Sequence, residues 1–168
     1  MEAKMVRDFT VESGAKCENR PTPMNVDEMT FISKMIVDEL LEMWATVHDS
    51  PTSKLVLNNL IQEAKSLERI DYPSNEDGVV SKIADQFDAF VDMNYYMLNT
   101  ACKKGVNLGP IFLMVHTANM NKRDPLTNTF IKRKDGKIIK PVGWKEPDVR
   151  GQIQKQMDAG AWVEDSLE

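Results

Sequence analysis

The amino-acid sequence predicts an all-α fold, a four-helix bundle-like core with a small C-terminal β-hairpin. Three observations carry this. Apolar residues recur at helical spacing in four segments between residues 26 and 122. The segments are joined by short, turn-rich stretches, which favours antiparallel neighbours around one core. Beyond them, Asp135-Gly136 sits between two short β-prone runs in "FIKRKDGKIIKP", the pattern of a tight hairpin.

Residues 1–23, running into "ENRPTPM", are weakly periodic and turn-rich, and are expected to form an extended N-terminal arm. Asn25 followed by Glu28 has the spacing of a capping box. Met29, Ile32, Met35, Ile36, Leu40 and Met43 then recur on one face, so the first helix is expected over about 26–47. "DSPTS" reads as a stop and restart, with Ser50 as N-cap and Pro51 at the first helical position. Leu55, Leu57, Leu60, Ile61 and Leu67 support the second helix, which "DYPSNEDG" ends. From Val79 to Lys103 a third and longest helix carries Ile83, Phe87, Phe90, Val91, Tyr95, Leu98 and Ala101, and Gly105 closes it. Asn107 and Pro110 open a fourth, ending near Lys122. The domain is therefore expected over 24–150, with 151–168 as a C-terminal tail.

Length and composition narrow the function. A chain of 168 residues, 42% hydrophobic and 28% charged, suits one globular domain with its own core. It holds no apolar run of about 18 residues that would cross a bilayer, and "MEAKMVRDFTVESG" lacks the apolar centre of a signal peptide. A soluble, cytoplasmic protein is expected. Cys17 and Cys102 stand in neither a CxxC nor a Cys/His spacing, which argues against a zinc site or a disulfide framework. The net charge of −5 is unevenly spread: residues 1–120 hold 11 Lys+Arg against 18 Asp+Glu, residues 121–150 hold 9 against 4. Without interleaved aromatics the basic tract is a poor nucleic-acid surface, and a small polyphosphate ligand fits it better.

The acids form two clusters. In "VDELLEMWATVHD" the spacing of Glu39 and Glu42 puts both carboxylates on one helical face, with Asp38 rotated about 100° away. In "IADQFDAFVDMNYYML" Asp85, Asp88 and Asp92 follow one another at i, i+3 and i+7. Like charges so placed repel unless something neutralises them, and Asp is a poor helix former. A solvated stripe is the plain alternative for either cluster alone. Two helices presenting acids toward each other are how bundles build carboxylate metal sites, and oxygen donors without His or Cys suit Mg2+ or Mn2+.

The pair "DELLE" and "DQFD", with helix "IFLMVHTANMNKRDP" and tail "GKIIKPVGWKEPD", resembles the all-α NTP pyrophosphohydrolase superfamily, which includes MazG, the dimeric dUTPases and phosphoribosyl-ATP pyrophosphohydrolase. The phosphoribosyl-ATP pyrophosphohydrolase-like branch is the most similar, over residues 24–149. The chain departs from the usual pattern where Asp85 stands for a Glu and Asp38 for the first acid of a Glu pair. The resemblance implies a Mg2+-dependent hydrolase that cleaves a nucleoside triphosphate between its α and β phosphates. It implies Glu39, Glu42, Asp85 and Asp88 as catalytic metal ligands, with Asp92 as a further ligand.

Asn119 and Lys122 match the family's NxxK and are expected to contact substrate. His116, Asn119 and Arg123 share a stripe, with Lys122 adjacent, and Lys132, Arg133 and Lys140 on the expected hairpin can close over phosphates. A solvated, edge-protecting hairpin is the plain reading of those last three. His116 reads equally well as a packing residue and His48 as a surface one, while Trp44, Tyr95 and Tyr96 are candidates for stacking on a base. The apolar content of the third helix exceeds what one antiparallel partner covers, so a homodimer or higher homo-oligomer is expected. The competing functions are a non-catalytic nucleotide- or metal-binding regulatory module and a structural helical interaction protein.

Overall fold

The computed structural model describes residues 2–67, 70–133 and 137–161. Among them are six helices: α1 (Glu2–Glu12), α2 (Val26–Trp44), α3 (Ser50–Glu63), α4 (Glu76–Lys103), α5 (Leu108–Met120) and α6 (Val149–Ala159). The chain divides into two compact units, Pro21–Ala89 and Met1–Arg20 with Phe90–Glu168. The α4 helix contributes residues to both.

In the Pro21–Ala89 unit, α2 begins where the sequence places it. The Asn25 side chain accepts from the Glu28 N–H, and the Glu28 carboxylate accepts from the Asn25 N–H, each at 2.9 Å. This reciprocal pair satisfies two of the donors that a helix start leaves free. The cap of α3 is Asp49 rather than Ser50: its Oδ1 accepts from Thr52 N–H at 2.8 Å, and those bonds hold its carboxyl below the usual range. Ser53 is buried on the same turn and donates to the Asp49 carbonyl at 2.9 Å. Leu57 is buried on α3, which packs against α2.

The start of α4 is set by Gly78, whose N–H donates to Asn75 Oδ1 at 3.0 Å. A Cβ at Gly78 would stand 2.1 Å from the Pro73 carbonyl oxygen and 2.7 Å from its ring, so the preceding loop must move to admit one. Gly78→Ala is therefore expected to destabilise the protein by about 1–3 kcal/mol, read as a loss of several degrees in thermal melting by circular dichroism; an unchanged melting temperature would contradict this packing. About two turns further along, Gln86 of α4 grips the entry of α2. Its Oε1 accepts from Met24 N–H at 2.8 Å, and its Nε2 donates to the Met24 carbonyl at 3.1 Å.

The other unit is built around α5. Asn107 caps it by accepting from Gly109 N–H, and Gln156 of α6 exchanges two 2.9 Å bonds with the Asn107 backbone. Both α1 and α6 pack on α5. On α1, Phe9 meets Phe130 edge-on at 5.3 Å, and Glu12 forms an ion pair with Arg123. Ala118 is buried on α5, and its carbonyl, left without a helical partner near the helix end, accepts from Trp144 Nε1 at 2.7 Å.

Several expectations are thereby corrected. Residues 2–12 are helical, not an extended arm, because α1 has an apolar partner 100 residues away in sequence. The four expected helices become six among the described residues, with α1 and α6 added. No β-hairpin is seen among the described residues: Lys132↔Ile138 and Arg123↔Phe130 are single antiparallel bridges, too little ladder for a strand. The Asp135-Gly136 turn itself lies outside the described residues. Leu57 and Ala118 are the buried large or small apolar side chains among the described residues, while Phe31 (65% exposed), Val91 (64%) and Tyr95 (69%) face outward from α2 and α4.

Candidate functional site

Glu39 and Glu42 project from α2, Asp85 and Asp88 from the first half of α4, and all four are exposed, as are Asp38 and Asp92. Asp92 belongs to the other unit. Asp85 has a partner that sequence reasoning missed: the Tyr72 hydroxyl donates to its Oδ2. That bond and the nearby carboxylate push the phenol pKa up, since ionising it would break the bond and set two anions side by side. The Lys82 ammonium lies 5.8 Å from the centre of the Tyr72 ring.

The oxygen donors have the right chemistry for a hard divalent ion. Among the described residues, no three His, Cys, Asp or Glu side chains gather around a point that a metal ion could occupy. Gln86, between Asp85 and Asp88, is bonded to Met24 at the very entry of α2, whereas Glu39 lies 13 residues beyond Val26, about 20 Å along the helix axis at 1.5 Å per residue. Within this unit α2 packs on α3, and Gln86 of α4 also reaches Met29 Sδ on α2 at 3.7 Å.

The cations behave differently. Asn119, Lys122, Arg133 and Lys140 line one cavity of about 560 Å3, together with Phe9, Lys137, Ile138 and Ile139. Lys122 donates to Asn119 Oδ1 at 2.6 Å and is half-buried; burial first, then the charges of Lys140 and Lys137, push its pKa down. Trp144 supports the wall, with the Lys140 ammonium 4.2 Å and the Lys122 ammonium 5.5 Å from its ring centre. Lys140 also pairs with Glu146 at 3.5 Å.

Two of the expected cations stand outside this cavity. Arg123 is taken by the Glu12 carboxylate and lies over the Phe130 ring at 5.4 Å, so its charge is already used in holding α1. Lys132 is exposed and is not part of the lining. Phe9, Lys137 and Trp144 were not identified from sequence, and the clue available for Trp144 was only its place in the family-like tail. The two histidines lie against aromatic rings: His116 stacks on Phe112 at 6.4 Å and His48 on Trp44 at 5.8 Å. The face that Trp44 turns to His48 is thus occupied.

The model of the family described as phosphoribosyl-ATP pyrophosphohydrolase matches residues 6–119. That span takes in the second half of α1, Glu39, Glu42, Asp85, Asp88 and Asn119, and stops short of Lys122 and the rest of the basic tract. A crystal structure from Exiguobacterium sp. 255-15, provisionally named as an NTP pyrophosphohydrolase, superposes with a TM-score of 0.77 at 24% identity, covering 94% of this chain and 96% of that one. At that identity the likeness speaks for the fold. No curated protein matches the chain. Among the described residues, no helix is long and apolar enough to cross a membrane.

Proposed function

The chain belongs to the phosphoribosyl-ATP pyrophosphohydrolase family, and from that premise we propose that it is a cytoplasmic, Mg2+-dependent nucleotide pyrophosphohydrolase. Water attacks the α phosphorus of a nucleoside triphosphate or related nucleotide, the bond to the bridging oxygen of the β phosphate breaks, and a monophosphate and pyrophosphate leave. The observation that carries the reading is the cavity lined by Lys122, Arg133, Lys137 and Lys140. Four cationic side chains converging on one cavity favour a multiply charged anion, and a leaving pyrophosphate above all.

In this reading Lys122 and Asn119 act as a unit. The 2.6 Å bond between them aims the ammonium, and its crowded, half-buried setting makes an incoming phosphate a better partner than water. Arg133 and Lys140 contribute charge from the opposite run, and Ile138, Ile139 and Phe9 exclude water from part of the wall. Arg123 and Lys132 are assigned lesser roles, the first as the bolt on α1 and the second as a solvated charge. The metal ligands of the proposal are Glu39, Glu42, Asp85 and Asp88, with Asp92 as a further candidate, and Mg2+ or Mn2+ is the ion their oxygens suit.

The exposed apolar faces of α2 and α4 support a homo-oligomer. Purified protein incubated with a panel of nucleotides and Mg2+, with pyrophosphate and orthophosphate assayed separately, tests the whole. Pyrophosphate release dependent on the metal is the expected result. Orthophosphate as the sole product, or no release from any nucleotide, would return the protein to the class of binding or structural modules.

A further inference from the structure

We infer that a second cavity beside the cation-lined one receives the nucleoside end of the substrate, and that it favours a base carrying an amino group, guanine above the others. This deepens the proposed function and rests on its reading of the cation cavity as the phosphate receptor. The second cavity measures about 380 Å3, within the roughly 300–1,000 Å3 of small-molecule sites. Lys122, Ile139 and Lys140 line both cavities, so the two share a wall. A ligand with its phosphates among the cations has the rest of its length to place, and beyond this wall the surroundings change character. Pro125, Leu126, Ile131, Pro141 and Val142 supply apolar surface there. Leu126 is 93% exposed and Val142 fully so, which leaves apolar side chains of this lining uncovered.

Among these apolar residues the lining carries the carboxylate of Asp124, and the chain holds it still. The 124–129 loop closes on itself: the Asn128 N–H donates to the Asp124 carbonyl and the Asp124 N–H to the Thr129 carbonyl, each at 2.8 Å. Asn128 takes the left-handed backbone, at a φ of 55°, that this tight path requires. The Thr127 and Leu126 N–H groups, each at 2.9 Å, and the Thr127 hydroxyl at 3.2 Å all donate to Asp124 Oδ1. Those bonds hold the carboxyl below its usual range and keep it ionised. Among the described residues none of them ends on Oδ2, and an ionised carboxylate oxygen only accepts. Guanine offers such an oxygen both a ring N–H and an amino group. Adenine and cytosine offer an amino group, whereas uracil and thymine set their one N–H between two carbonyl oxygens that a carboxylate repels. Charge is thus laid out as in the ligand, with cations where phosphates sit and a carboxylate where the base presents N–H.

Calorimetry on the full chain with Mg2+ tests this. The probes are pyrophosphate and the α,β-methylene analogues of GTP and UTP, in which a methylene replaces the bridging oxygen of the proposed cut. The GTP analogue is expected to bind about 10- to 100-fold tighter than the UTP analogue, as hydrogen bonding to a charged group provides. Asp124→Asn keeps an oxygen for the Thr127 and Leu126 N–H groups, and with it the loop. It should remove the gap between the analogues while pyrophosphate binds no more weakly than before. Leu126→Ala combined with Val142→Ala, both at exposed positions, should weaken the two analogues several-fold and leave pyrophosphate binding unchanged. Equal binding of the analogues by the native protein, or a gap that survives Asp124→Asn in a variant whose melting shows it folded, would overturn the inference, and the phosphate reading of the cation cavity would stand as long as pyrophosphate binds. Should Asp124→Asn fail to fold, the Leu126 and Val142 pair decides, and unaltered analogue binding there is equally fatal. If that pair changes the oligomeric state in sedimentation and not the analogue binding, the uncovered side chains are a contact between copies and the nucleoside lies elsewhere. A native protein that does not bind pyrophosphate would remove the phosphate reading itself, and this inference with it.

Discussion

Asp88→Asn is expected to lower turnover on the order of 1,000-fold, the upper end of what removal of one charge-stabilising group does to an active site. The substitution keeps the shape of the side chain and deletes the charge a divalent ion needs. Because Asp88 is exposed and three residues from Asp85 on the same helix, neutralising it also relieves a like-charge contact. The metal-free variant should therefore fold and melt at or slightly above the native temperature, while the native protein alone gains stability when Mg2+ is added. A variant that loses stability and keeps its pyrophosphate release would make Asp88 a scaffold residue.

Lys122→Ala should act at the other end of the reaction. Turnover is expected to fall about 100-fold, as when one preorganised donor to a developing charge is removed, with Mg2+ affinity nearly intact. The variant also isolates a pH effect. Burial and the charges of Lys140 and Lys137 hold the Lys122 pKa below lysine's ordinary value, so in the window between the two the unfolded chain binds more protons than the folded one. Stability contributed by this group therefore rises with pH through that window. Anion binding runs the opposite way, since the ammonium that receives phosphate is lost there. Melting curves and pyrophosphate binding followed against pH, native against Lys122→Ala, should differ in both senses; parallel curves would show that Lys122 carries neither effect.

What could be read from the sequence was what local chemistry decides. The Asn25–Glu28 box and the Asn107 cap involve groups within three residues of each other, and both helices begin where those residues stand. The shift from Ser50 to Asp49 at α3 has the same origin, since either side chain can accept at a helix start and only the backbone path chooses. By contrast, α1 is a short helix preceding a turn-rich stretch, and it is held by α5, Phe130 and Arg123. Helical periodicity placed Lys122 and Arg123 together as equivalent cations. Tertiary structure separates them, one into a cavity and the other onto Glu12. The acids were legible as two local stripes, but the distance between the stripes is set by where Gln86 docks, and no spacing along the chain encodes that.

The indole of Trp144 has a further consequence. Its N–H is fixed to the Ala118 carbonyl and its ring lies near both Lys122 and Lys140, so the electric field across the ring is set largely by two ammonium groups that also line the cavity. An anion drawn to those groups cancels part of that field, and indole emission shifts with the field it experiences. With Trp44 and Trp162 replaced by Phe, the one remaining tryptophan makes the protein its own optical gauge of occupancy, able to follow the filling of the cavity in real time without labelled nucleotide and without any reaction taking place.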